Sequence, residues 1–286
     1  MPAISHILFP FDFSTQAYLA VRFVGAAARR FGAKVTVLSV VPPVWQAPGA
    51  GVPIPVAGDP RQSEDELRAY LNGLALAELE GICVQRIADS GDPATRITEF
   101  AHAANADLIM MPTHGTSLFR RLLIGSVTSK VLHDAACPVW TATHAEEQHS
   151  PQDPRRILCA VDGTPRSAEV MVWARDYSVK MDADLKLLHV VPSISDWLAL
   201  ASERELQEEV REAGRDQIQA LQKTASVNAP LRVAVGQIVD SVTEEARQEN
   251  ADLLIIGRGS LPSSLGRLRT HAYGIIQKSP CPVLSV

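Results

Sequence analysis

The chain has 286 residues, 46% of them hydrophobic but only 5% aromatic, and a formal net charge of −5. That length suits two domains with aliphatic cores, and the acidic balance disfavours nonspecific nucleic-acid binding, which needs a basic surface. No run reaches the roughly 18 apolar residues of a membrane span, and the N-terminal MPAISHILFP lacks the basic start and cleavage site of a signal peptide.

Hydrophobic period sorts the first half into alternating strands and helices. Ile7–Pro10 and Val35–Val41 read as strands with a helix over Ala17–Phe31 between them. A second helix is predicted over Glu64–Leu79, a strand over Cys83–Ala88 and a helix over Pro93–Ala104. A strand at Leu108–Met111, a helix at Ser126–Asp134 and a last strand at Val139–Thr143 follow. The second half gives the same series, with strands at Ile157–Val161, Leu185–Val191, Leu231–Val235, Leu253–Ile256 and Val283–Val286. Its helices fall at Ser167–Lys180, Glu203–Thr224, Ser241–Glu249 and Thr270–Lys278. Strands bounded by helices require crossover connections and a parallel sheet, and the right-handed crossover rule leaves a doubly wound sandwich. The predicted fold is therefore α/β, two tandem five-stranded, Rossmann-like domains over residues 1–144 and 155–286, joined by the polar, proline-bearing Ala145–Pro154. Between Pro42 and Pro60 lies a Pro/Gly/Ala-rich loop. It reads either as a surface excursion or as a lid, since it leaves the carboxyl end of the second strand, where such sheets bind ligands.

The two halves are also alike in sequence. ILFPFD at Ile7–Asp12 returns as ILCAVD at Ile157–Asp162, and KVTVLSVVP at Lys34–Pro42 as DLKLLHVVP at Asp184–Pro192, both offset by 150 residues. ADLIMM at Ala106–Met111 returns as ADLLII, and CPV at Cys137–Val139 as CPV at Cys281–Val283, offset by 145 and 144. A period this long, repeated twice, means two whole domains rather than a solenoid. Each half is thus a control for the other: a residue kept in both is expected to serve the fold, and one kept in a single half is a candidate for function.

The first half's fourth strand runs into Met111-Pro-Thr-His-Gly115, then nine residues, then Gly125-Ser126-Val127-Thr128. Glycines there permit close backbone approach. Ser126 is a favoured N-cap type, and a helix start offers unpaired amides at a positive dipole end. This is an anion cradle suited to a polyphosphate, although neither a Walker loop nor a G-x-G-x-x-G fingerprint occurs. On generic physics alone, an ordinary strand–helix connection explains it equally well.

This segment resembles the signature of the universal stress protein family, Gly-x-x-Gly, nine residues, then Gly-Ser or Gly-Thr. Gly115, Gly125 and Ser126 match it in register, and the opening ILFPFDFS, the VVP after the second strand and the closing CPV agree with it. The resemblance covers both halves and looks like a tandem member of adenine nucleotide alpha hydrolase-like fold. It implies that Asp12 contacts the adenosine moiety and that a backbone group of Val40 or Val41 reads the adenine edge. It further implies that Gly115, Gly125, Ser126 and Val127 hold ribose and phosphates, with His114 in the loop between. Pro112 departs from the signature's first glycine and supplies no N–H, a loss of about 1 kcal/mol. The implied ligand is ATP, ADP or AMP, with Mg²⁺ arriving on the nucleotide. The resemblance also implies dimerisation through the last strand of each domain, here as an intrachain pseudo-dimer and, between chains, a homodimer.

In the second half Arg269 stands where Gly125 does, and Thr270 where Ser126 does. An arginine where backbone must face phosphate should crowd it, so this half is expected to be a degenerate scaffold or, with Arg258, Arg267 and Arg269, an altered anion site. Asp12 and Asp162 have a simpler reading as helix caps. Arg120 and Arg121 read equally as phosphate neutralisers or as a solvated face, and His133-Asp134 reads as structural. The four cysteines (Cys83, Cys137, Cys159, Cys281) lack C-x-x-C spacing and are expected to be buried, inert thiols in a reducing cytoplasm. The histidines lack metal spacing, and no G-x-S-x-G marks a nucleophile. The expected function is a nucleotide-binding stress-response regulator acting on a signalling partner the sequence leaves unspecified. A slow ATPase and a scaffold binding no nucleotide are the alternatives.

Overall fold

The computed structural model describes residues 4–41, 64–113, 124–142, 153–192, 203–258 and 270–286. In the first half, strands β1 (His6–Pro10), β2 (Lys34–Val41), β3 (Val84–Ser90), β4 (Leu108–Pro112) and β5 (Val139–Ala142) alternate with helices α1 (Thr15–Phe31), α2 (Glu64–Gly73), α3 (Pro93–Ala103) and α4 (Ser126–Asp134). The second half repeats this with β6 (Arg156–Val161), β7 (Asp184–Pro192), β8 (Leu231–Gly236), β9 (Leu253–Ile256) and β10 (Val283–Ser285). Its helices are α5 (Ser167–Met181), α6 (Glu203–Ala225), α7 (Ile238–Gln248) and α8 (Thr270–Lys278). The predicted second helix is shorter than expected: α2 stops at Gly73, and a separate 3-10 turn covers Ala77–Leu79. Glycine is a poor interior helix residue, so the break falls where propensity is weakest. The Pro42–Pro60 loop and most of the Ala145–Pro154 linker lie outside the described residues.

All ten strands form one sheet in the order β3-β2-β1-β4-β5-β10-β9-β6-β7-β8. Within each half every pairing is parallel, and the halves meet where β5 and β10 pair antiparallel, Trp140 opposite Leu284. The edge strands of the two domains therefore cover each other, which removes the exposed edge each would present alone. The seam is pseudo-symmetric, since Thr141 Oγ1 donates to the Val283 carbonyl and Ser285 Oγ to that of Val139. Behind it, the Arg30 side chain donates to the Lys180 carbonyl at 2.7 Å, and the Phe31 and Tyr177 rings lie 5.5 Å apart. One apolar core under α1, α2, α5 and α6 runs through both halves, and a second lies on the opposite face.

Several residues shared by both halves serve the fold. Asp107 Oδ2 accepts from the Ser5 and His6 amides, and Asp252 Oδ2 from those of Arg155 and Arg156, so each ADL motif ties β4 or β9 to the start of its neighbour. Asn105 and Asn250 both turn the chain with positive φ, 49° and 48°, a conformation asparagine tolerates. Gly25 is a packing glycine: a Cβ there would sit 2.3 Å from the Glu78 carbonyl oxygen.

Candidate functional site

In a doubly wound sheet, ligands bind beyond the carboxyl ends of the strands where the strand order reverses. That point lies between β1 and β4 in the first half and between β6 and β9 in the second.

At the first of these, β1 ends its pairing with β2 at Pro10 opposite Leu38, and the Phe11 amide donates to the Leu38 carbonyl. Backbone groups alternate sides along a strand, so Val40 is the next residue whose N–H and C=O face the β1 side, past the end of that ladder. Val41 faces the other way, and its carbonyl accepts from the Gly91 amide at 3.0 Å. Asp12 follows β1 in a tight turn in which its Oδ1 accepts from the Ser14 amide and hydroxyl. Ser14, not Asp12, caps α1 by accepting from the Ala17 amide. Asp162 makes the same turn with Thr164, so part of the aspartate's role belongs to the fold.

Across the switch point, α4 begins after Gly125, which occupies the N-cap with no side-chain cap. Ser126 is thus the first helical residue and not the cap expected from its type. The Gly125 amide donates to the Thr113 carbonyl at 2.8 Å. The amides of Ser126, Val127 and Thr128 remain as the donors that lack acceptors within the helix. Pro112 ends β4 opposite Ala142, buried, and its carbonyl accepts from Thr128 Oγ1 at 3.1 Å. His114, Gly115, Arg120 and Arg121 lie outside the described residues. Among the predicted site residues that are described, Asp12, Val40, Val41, Pro112, Gly125, Ser126 and Val127 thus gather at one end of one half-sheet.

Helix α4 is held at three points. Besides the Thr128 contact, Lys130 Nζ reaches Asp92 Oδ2 at 2.9 Å and Thr95 Oγ1 at 3.0 Å on α3. Asp92 caps α3, and hydrogen bonds from Thr95 and Lys130 hold its carboxyl down at about 2. The third anchor comes from the other half. Arg258, buried after β9, donates from its two terminal nitrogens to the Ala135 and Cys137 carbonyls at 2.7 and 2.9 Å, at the C-terminal end of α4. Its counterpart Thr113 is too short for such a reach and donates instead to Ala142 within its own half. In the second half the equivalent turn is closed internally, by Ser279 Oγ donating to the Cys281 carbonyl. Arg258 is one of three arginines in the alternative reading of this half as an altered anion site; here its terminal nitrogens donate to backbone.

Beyond the second switch point lies a cleft of about 820 Å³, lined by Asp162, His189, Val190, Gly257 and Arg258 together with Ala136 and Pro138 of the first half. His189 Nδ1 lies 2.9 Å from the Val161 carbonyl, and since a carbonyl only accepts, Nδ1 carries the proton. His189 was not a sequence candidate. The signal for it was present in the internal comparison, where Ser39 and His189 differ inside an otherwise matching VVP strand end. Arg267 and Arg269 lie outside the described residues.

The cysteines divide. Cys159 and Cys281 are buried, and burial pushes both thiols up to about 12. Burial also raises Cys137, whereas Cys83 is exposed, contrary to expectation. His133 Nδ1 contacts Asp134 at the end of α4. Among the described residues no group of three His, Cys, Asp or Glu gathers to hold a metal, and no helix is long and apolar enough to cross a membrane.

The sequence profile of the universal stress protein family matches residues 3–142 and again 154–286. The chain belongs to the universal stress protein family. It is similar to a universal stress protein of Mycolicibacterium smegmatis at 26% identity, over 98% of this chain and 96% of the relative, so the tandem arrangement is shared. A universal stress protein of Methanocaldococcus jannaschii is 32% identical over 46% of this chain and 78% of its own length. Among solved structures, a universal stress protein from Archaeoglobus fulgidus superposes with a TM-score of 0.67 at 23% identity, covering 99% of this chain and 96% of that one. The shared fold of this universal stress protein is thus the tandem double sandwich described above.

Proposed function

We propose that the first half of this universal stress protein binds an adenine nucleotide, ATP or its ADP or AMP relatives, and that the protein acts as a stress-response regulator rather than as a catalyst. The observation that carries the reading is the pairing, at one sheet end, of a strand whose backbone outlasts its neighbour with an uncapped helix start. Val40, not Val41, is the residue whose backbone reads the adenine edge, because Val41 is already paired. Asp12 contacts the adenosine moiety through what its turn leaves accessible. The amides of Ser126 and Val127 hold the phosphates, with Gly125 and Gly115 keeping side chains out of the way and His114 beside them. Pro112 contributes shape and no donor. Mg²⁺ travels with the nucleotide phosphates. Four free thiols fit a reducing, cytoplasmic setting. Nucleotide occupancy orders the surface that a signalling partner reads, and pairing of the halves supplies within one chain the edge-to-edge contact that a lone domain would need a second copy to make.

The test is thermal or urea unfolding with and without Mg·ATP. At 100 times its Kd, ATP should stabilise the wild-type chain by about 2.7 kcal/mol. Gly125→Arg should abolish the gain while leaving the unliganded protein folded, since Gly125 has φ −58° and ψ 148°, open to any residue. An undiminished gain in that variant would remove the first-half site. Turnover of Mg·ATP faster than about 1 s⁻¹, ordinary for enzymes, would instead favour a hydrolase.

A further inference from the structure

We infer that the seam between the halves carries a binding site for a single-ring phenol, where α1 and α5 meet behind β5. A cavity of about 150 Å³ opens there, walled by Phe23 and Ala26 of α1, Trp140 of β5, and Tyr177 and Met181 of α5. Asp153 and Arg155, which lead into β6, stand in its lining too. It shares no residue with the cleft beyond the second switch point, nor with the described residues of the first-half site. The inference is therefore independent of nucleotide binding. An apolar cavity of roughly this size takes up benzene, so one ring fills it.

The walls suit an aromatic ring. Phe23 and Trp140 lie tilted, 5.3 Å between ring centres. The thioethers of Met110 and Met181, both 2% exposed, complete the apolar lining, and sulfur makes favourable contacts with aromatic rings. The polar groups select a hydroxyl. Tyr177 is only 6% exposed, its ring stacked on Trp173 at 5.1 Å and against Phe31 at 5.5 Å. Its hydroxyl nevertheless has no hydrogen-bond partner among the described residues, nor has the Trp140 indole N–H. Buried tyrosine and tryptophan ordinarily find such partners. Burial and the nearby Asp153 carboxylate raise the Tyr177 pKa, so the hydroxyl keeps its proton.

Asp153 is the matching acceptor. Its Oδ2 lies 3.7 Å from Arg30 Nε, beyond hydrogen-bond range, and that Nε donates to the Lys180 carbonyl instead. The other charges of the lining are spoken for. Arg155 pairs with Asp182, and Asp252 accepts from the Arg155 and Arg156 amides. With acid and base paired around the rim, no net charge favours an ionic ligand. A phenol oxygen accepts from Tyr177 while its own proton goes to Asp153, a charge-assisted bond.

4-Fluorophenol is the probe, followed by its fluorine resonance as it is titrated into the intact chain. It should bind saturably at about one equivalent per chain, with a Kd at or below about 1 mM, within reach of so few atoms. It should stay bound in saturating Mg·ATP. Fluorobenzene, the same ring without the hydroxyl, should bind about tenfold more weakly. Tyr177→Phe keeps the stacked ring and should weaken 4-fluorophenol roughly fivefold while leaving fluorobenzene unchanged. Ala26→Phe fills the cavity and should remove both probes. Circular dichroism establishes which variants are folded. Absence of saturable binding, displacement by Mg·ATP, unchanged binding in folded Ala26→Phe, or an undiminished preference for the hydroxyl in folded Tyr177→Phe would each overturn the proposal.

Discussion

Arg258→Ala should destabilise the chain by about 3 kcal/mol, because it strips one buried and one partly buried carbonyl of charge-assisted donors. Those carbonyls, of Ala135 and Cys137, end the helix whose first turn faces the first-half switch point. The loss should therefore register twice. In urea, the single unfolding transition should move to lower denaturant and begin to split as the halves uncouple. Arg258→Lys should recover less than half of the effect, since one ammonium cannot satisfy both carbonyls in the fixed fork that a guanidinium provides. A shift smaller than about 0.5 kcal/mol, the size of an ordinary surface change, would mean that the clasp is incidental.

Leu284→Asp should be more severe. Leu284 is fully buried in β10, which lies between β5 and β9 and joins the two half-sheets. A carboxylate there has no partner and no water, a class of change that exceeds about 4 kcal/mol. The seam is expected to open, leaving two domains with exposed edge strands that associate with other chains. Size-exclusion chromatography should show larger soluble oligomer or aggregate in place of the wild-type peak. A monodisperse variant with unaltered melting would contradict the view that β5 and β10 hold the chain together.

The fold was legible because periodicity, repeat and motif agreed along the chain. Alternating apolar strands with amphipathic helices between them left little choice of topology, and the repeated Asn-Ala-Asp proved to be a turn and a strand tie in both halves. Boundaries were less legible where local chemistry competes: Gly73 stops α2 early, and Gly125 takes the cap that Ser126 was expected to fill. Which of Val40 and Val41 turns its backbone groups toward the β1 side could not be read from sequence, since it depends on which side of β2 remains paired after β1 turns away. Nor could the clasp, because nothing in the spacing of Arg258 shows that it crosses to the other half.

The most direct measurement of the central claim is isothermal titration of the intact chain with Mg·ATP, repeated on Gly125→Arg. One nucleotide per wild-type chain, and none for the variant, is the predicted result. Two equivalents, or one that survives the substitution, would place nucleotide binding in the second half and contradict the division of labour between the halves.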